Sequence, residues 1–290
     1  MPTFDSVAHA LTALSTGGYS PHDASIGYYR QIGHPNFVLI EYTVVFAMLL
    51  GGMNFFIHYR VLTGGVRALW DNAETRLFWL LIAAAIALVA GERLFKGAAD
   101  TADTLRKSVF QVVSIITSTG FATEEIGRRA DGSYYFFPLA RQIFLVLMIV
   151  GGCVGSTGGG IKVLRIGVLM RMVGRQVRRV VHGRTAVNLV TVDGDPVELE
   201  EMRRIAALFF AWLMLLFLGG AVTAFCTAYG PIESASGMFS ALGNTGPCYL
   251  SAFDVTRLPA VVKLTYILGM LAGRLEILPV LILFTRRTWR

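Results

Sequence analysis

The stretch Ser108–Glu125, SVFQVVSIITSTGFATEE, decides how this chain is read. Its apolar part, Val109–Ile116, is far too short to cross a bilayer core of about 30 Å, which takes roughly 20 apolar residues as a helix. It stops at a Thr/Ser-Gly cluster and leaves through a polar, acidic tail. Two other stretches follow the same plan, PTFDSVAHALTALSTGGYSPHD (2–23) and PIESASGMFSALGNTGPCYLSAF (231–253). Aligned on their last glycine, the three turns are Thr16-Gly17-Gly18-Tyr19, Ser118-Thr119-Gly120-Phe121 and Asn244-Thr245-Gly246-Pro247. A lone Thr-Gly pair is common in any loop. Three in matching places, each after a short apolar helix and before a spanning one, form an internal repeat. Its period is about 102 residues from Gly18 to Gly120 and about 126 from Gly120 to Gly246.

Irregular backbone at membrane depth is tolerated only where protein buries it or where it lines water. A half-helix ending in a glycine turn meets that condition in a useful way. Its C-terminal carbonyls carry partial negative charge and can face a cation, and the carbonyls of the turn can replace an ion's water shell. Glycine permits the backbone angles that aim successive carbonyls the same way. The plainer alternative is that these are extracellular turns packed on a helical bundle.

Composition agrees with a membrane chain. Of 290 residues, about 61% are apolar when Gly is counted and Tyr is not, and 16% are charged; a soluble domain has about 45–50% and 25%. The mean hydropathy is +0.58. Five segments are candidate spans: Phe37–Ile57, Leu77–Phe95, an interrupted one from Pro138 through 170, Ile205–Tyr229 and Leu258–Thr285. With the first ending inside, segments 58–76, 162–204 and 286–290 hold 15 of the 26 Lys and Arg, as cytoplasmic loops do. The three short turns then lie outside. The net charge of +7 is thereby a topological surplus, which excludes a nucleic-acid-binding face. Cys153, Cys226 and Cys248 have no motif spacing, and His9, His22, His34, His58 and His182 have no metal spacing. No nucleophile triad or carboxylate pair stands out, so an enzyme is not expected.

The third span is broken by Gly151-Gly152-Cys153-Val154-Gly155-Ser156-Thr157-Gly158-Gly159-Gly160. Each glycine costs a helix about 1 kcal/mol relative to Ala, so the helix unwinds here. It is not a phosphate loop, because Ile161-Lys162-Val163 follows Gly160 where Lys-Ser/Thr would be needed. A flexible intramembrane loop and glycine-mediated helix packing both fit. Arg274 lies deep in the fifth span, where a charge costs about 2.5–3.5 kcal/mol. Glu276, two residues on, does not share its helix face, so Arg274 needs carbonyls or water, and loop 151–160 could supply the carbonyls.

Together STGGYSPHDASIGYY (15–29), TSTGF (117–121), GGCVGSTGGGIKVLR (151–165), ALGNTGPCYL (241–250) and GRLEILPVLILFTRRTWR (273–290) resemble the Trk/Ktr/HKT superfamily of potassium transporters, its TrkH-like branch most closely, over essentially the whole chain. The resemblance implies an all-α polytopic membrane protein of voltage-gated-channel-like pore fold, built from repeats of outer helix, re-entrant pore helix with filter loop, and inner helix. It implies that Thr16 to Tyr19, Ser118 to Phe121 and Asn244 to Pro247 are K⁺ filter strands. It also implies that the glycine loop, with Gly151, Gly152, Gly155, Ser156, Thr157, Gly158, Gly159 and Gly160, is a gate contacted by Arg274. The implied division is 1–60 as a partial second repeat, 61–180 as the third, 181–204 as a cytoplasmic linker and 205–290 as the fourth. The first repeat is then missing, which points to a fragment, a mis-called start or a split reading frame. The implied setting is the inner membrane of a bacterium, with the C-terminus cytoplasmic. The implied partners are a second copy in a homodimer and a cytosolic nucleotide-binding ring of the TrkA type, with K⁺ as the transported ion and no organic cofactor on this chain. The basic segment 171–204 suits either that ring or anionic lipid. A non-conducting membrane scaffold and an ion-coupled K⁺ symporter remain alternative functions.

Overall fold

The computed structural model describes residues 1–97, 100–129, 132–182, 189–275 and 277–283. Helix α1 (Thr3–Leu14) runs into the first glycine turn, and a short α2 (Gly27–Gln31) leads to α3 (Phe37–Gly52). The span expected over Phe37–Ile57 is shorter than that. Gly51 and Gly52 weaken the helix end, and Asn54 starts a new helix, α4 (Phe55–Leu62), by accepting the Phe56 N–H at 2.8 Å. The two axes differ by 106°.

After α5 (Ala68–Asp71) comes α6 (Ala73–Phe95), whose Ala-rich run favours helix and which is long and apolar enough to cross a membrane. Next, α7 (Thr101–Ile116) is capped by Asp100, whose carboxylate accepts the N–H groups of Ala102 and Asp103 at 3.0 and 3.1 Å. Pro138 opens α8 (Pro138–Val150), where its missing N–H costs nothing. α8 stops at Gly151 with φ +70°, and the chain resumes as α9 (Val163–His182). The interrupted third span is therefore two helices around a loop.

Strands β1 (Thr191–Val192) and β2 (Asp195–Pro196) pair antiparallel across Asp193-Gly194. Residues 183–188 of the expected linker lie outside the described residues. α10 (Leu199–Cys226) starts earlier than the span expected from Ile205, and inside the expected linker, because Glu200 and Glu201 suit a helix N-terminus. α11 (Pro231–Gly243), α12 (Ala252–Thr256), α13 (Ala260–Leu275) and α14 (Ile277–Leu283) complete the described chain. Glu276 and the end of the fifth expected span lie outside it. Of the five expected spans, α6 and α10 qualify as single helices by length and composition, and α3 with α4 qualifies as a bent pair.

The packing follows an arc. α1 packs on α3, α3 on α7, α7 on α6 and α8, α8 on α11, and α11 on α10 and α13. One apolar cluster centres on Met48, Phe78, Phe110, Ile115 and Phe144, and a second on Leu208, Trp212, Met238, Leu242 and Tyr266. The outer face of α10 leaves Phe210, Phe217 and Phe225 exposed. Such a large apolar surface suits lipid rather than water.

The α3–α7 contact also carries charge. Arg106 pairs with Glu41 at 2.7 Å and with Asp103, Lys107 pairs with Asp103 at 2.8 Å and Glu124 at 2.6 Å, and Arg30 reaches Asp103 at 3.2 Å. Glu41 is 1% exposed. Removing one partner of a buried pair costs about 3–5 kcal/mol, because the other charge stays buried. Arg106→Met is therefore expected to destabilise the protein by about 3 kcal/mol, and Glu41→Leu in the same chain should restore part of it. Thermal unfolding in detergent measures both.

Candidate functional site

Helices α1, α7 and α11 end in turns that follow one backbone path three times. The first residue of each is left-handed, with φ +51° at Thr16, +58° at Ser118 and +52° at Asn244. The next residue turns its N–H back onto the helix: Gly17 to Thr12 O at 2.8 Å, Thr119 to Ser114 O at 2.9 Å and Thr245 to Ser240 O at 3.0 Å. The third is a glycine at φ +64°, +88° and +97° for Gly18, Gly120 and Gly246. Left-handed angles at Thr, Ser and Asn are strained by about 1–3 kcal/mol each and persist only where the surroundings hold them. The turns use their N–H groups behind them. Among the described residues nothing donates to Thr119 O or Thr245 O.

The turns are also neighbours. A β-carbon built on Gly18 would lie 1.9 Å from Thr119 O, and one on Gly120 would lie 2.0 Å from Thr245 O. No side chain fits at either glycine. A β-carbon on Gly246 would meet nothing within 4 Å, so the row is open after the third turn. The fourth positions differ: Tyr19 is 77% exposed, Phe121 is fully buried, and Pro247 lies against Gly120.

Sequence reasoning missed the hydroxyls behind the turns. Thr12 Oγ1 donates to Tyr19 O at 2.9 Å, and Ser114 Oγ donates to Phe121 O at 2.6 Å. The signal was present, since Thr12, Ser114 and Ser240 each stand six residues before the aligned glycine.

Below the turns lies the glycine loop. Ile161 N and Lys162 N bond back to Ile149 O and Val150 O, both at 2.9 Å, and close the loop at its base. Gly151, Gly155 and Gly160 have φ of +70°, +72° and +76°. Near the base, Cys153 N bonds Gly52 O at 3.0 Å, and Ser156 Oγ bonds Cys153 O. A β-carbon on Gly152 would lie 2.9 Å from Gly52 O. The tip touches the lower ends of all three re-entrant helices. Thr157 Oγ1 lies 3.1 Å from Leu14 O and takes a bond from Thr16 Oγ1 at 3.1 Å. β-Carbons on Gly158 and Gly159 would lie 2.9 Å from Thr117 O and 2.4 Å from Gly243 O.

Arg274 Nη1 donates to Thr157 O at 2.6 Å. α13 comes this close because Gly273 has no side chain, and a β-carbon there would lie 1.9 Å from Leu242 O. Lys162 Nζ donates to Gly158 O. The site is thus an array of backbone carbonyls above a loop held by two cationic side chains. Among the described residues no group of three His, Cys, Asp or Glu could hold a metal.

The sequence pattern of the TrkH family, described as "Cation transport protein", matches residues 1–289. The chain belongs to the TrkH family. It is 30% identical over 294 residues to the "Trk system potassium uptake protein TrkH" of Salmonella typhimurium, covering all of this chain and 58% of that protein. It is 32% identical over 299 residues to the "Trk system potassium uptake protein TrkG" of Escherichia coli K12, covering all of this chain and 57% of that protein. The crystal structure of "the Potassium Transporter TrkH from Vibrio parahaemolyticus" superposes with a TM-score of 0.84 at 29% identity, over 99% of this chain and 59% of that one. The chain spans somewhat over half the length of these relatives. This TrkH-family chain is an all-α membrane protein, and its family is one of cation transport rather than of enzymes.

In this TrkH-family chain, Ser114→Ala removes a buried bond to Phe121 O. Leaving that carbonyl unpaired is expected to lower stability by about 1–2 kcal/mol, read as a lower unfolding midpoint.

Proposed function

We propose that this chain forms three of the four filter strands of a potassium uptake protein. The carrying observation is the threefold backbone path of the turns, with Gly18 and Gly120 each pressed against the next turn's carbonyl. The relatives named for potassium uptake support the choice of ion. The filter strands are Thr16-Gly17-Gly18-Tyr19, Ser118-Thr119-Gly120-Phe121 and Asn244-Thr245-Gly246-Pro247. A fourth turn, from outside these residues, closes the row at Gly246. Residues 1–60, 61–180 and 205–290 are then the second, third and fourth repeats, joined by a linker over 181–204.

K⁺ crosses by exchanging its water for backbone carbonyls, which the fixed turns hold ready without reorganisation. Loop 151–160 closes the path beneath. Its tip plugs the space under the helix ends, and Arg274 both ties the tip and opposes cations electrostatically. A cytosolic nucleotide-binding ring acting on the basic segment 171–204 would bias the loop. The assembly is a homodimer in the bacterial inner membrane with the C-terminus cytoplasmic. The open edge at Gly246 favours a second reading, a non-conducting membrane scaffold or assembly subunit.

Rubidium flux into proteoliposomes tests this reading, using the chain joined to its fourth turn. A hydrogen bond from a charged group contributes about 1.5–3 kcal/mol, so Arg274→Ala is expected to raise flux about tenfold at equal protein. Unchanged flux would remove the gate assignment. Gly120→Ser places a side chain against Thr245 O and is expected to lower the K⁺/Na⁺ uptake ratio several-fold; an unaltered ratio would remove the filter assignment.

A further inference from the structure

Glu74 stands in the first turn of α6, far in sequence from the glycine loop, and its side chain is almost fully buried. One oxygen, Oε1, accepts two backbone N–H groups: that of Val154 at 2.7 Å and that of Leu164 at 3.3 Å. These donors lie on opposite sides of the loop. Val154 is on the limb leaving α8, and Leu164 is in the first turn of α9. Leu164 N is one of the N–H groups that a helix start leaves without an intrahelical partner, and a carboxylate there is also favoured by the helix dipole. The Val154 N–H has no helix to serve it. A single buried oxygen therefore ties both limbs together.

We propose that Glu74 is a positioning residue that keeps the loop folded under the filter by clamping its two limbs from α6. This rests on reading loop 151–160 as the gate. The clamp is separate from Arg274, which holds the tip at Thr157, and from Lys162, which bonds Gly158 within the loop. Glu74 anchors the base to a helix outside the loop, so a shift of α6 relative to α9 reaches the loop through it. A cavity of about 210 Å³ lined by Leu77, Leu164, Gly167 and Arg171 opens beside the carboxylate.

The test separates the acceptor atom from mere filling of space. Glu74→Gln keeps an oxygen able to accept both N–H groups, whereas Glu74→Ala removes it. In the protein with its filter complete, Glu74→Ala is expected to raise rubidium flux about fivefold or more. It should also speed hydrogen–deuterium exchange at the Val154 and Leu164 amides, while Glu74→Gln stays near wild type in both readouts. Wild-type flux and exchange in Glu74→Ala would overturn the proposal, as would a Glu74→Gln protein that behaves like Glu74→Ala. Should Glu74→Ala not assemble, Glu74→Asp is compared with Glu74→Gln: higher flux and faster exchange in the shorter acid support the clamp, and equal values overturn it. Arg274→Ala runs alongside. If it raises flux while Glu74→Ala does not, only the clamp falls; if neither does, the gate reading falls first.

Discussion

A helix that stops inside a bilayer leaves carbonyls with no partner, and everything else in this chain is arranged around that constraint. Hydrocarbon cannot satisfy them. Helices α1, α7 and α11 all stop this way, and each turn points N–H groups back onto its own helix, while Thr119 O and Thr245 O lie against the glycines of neighbouring turns. The arrangement works only if the three turns stand side by side. That requires glycine at positions 18 and 120, where a neighbouring carbonyl occupies the place of a β-carbon. Strain at Thr16, Ser118 and Asn244 is held by the helices behind them.

The same constraint shapes the layer beneath. The lower ends of the three helices are themselves rich in carbonyls, and the glycine loop is the segment that lies under them. It brings backbone close to Leu14, Thr117 and Gly243, which side chains at Gly158 and Gly159 would prevent. Its own polar groups are then divided among α3, α6 and α13: Gly52 O receives Cys153 N, Glu74 receives Val154 N, and Arg274 serves Thr157 O.

Much of the arrangement was legible beforehand. The three turns, the break at 151–160 and the isolation of Arg274 all follow from local pattern: apolar runs too short to cross, glycine density, and one charge at depth. Helix ends were less legible. α3 yields to α4 at Met53-Asn54 inside a run whose apolar character continues to Ile57, because the cap at Asn54 outweighs hydropathy. α10 reaches back to Leu199 through acidic residues that hydropathy reads as linker. Glu74 gave no local signal, since an acidic residue at a helix start usually needs no explanation beyond the helix dipole.

By itself the sequence determined that the chain belongs in a membrane, where its helices fail, and how far apart the failures recur. These depend on composition and spacing, which act locally. Only the tertiary structure decided that the failures meet: that Gly18 faces Thr119, that Gly120 faces Thr245, that Gly246 faces open space, and that one oxygen of Glu74 holds residues eighty and ninety positions away. Backbone groups look the same at every position in a sequence. Which of them become partners is set by packing at a distance.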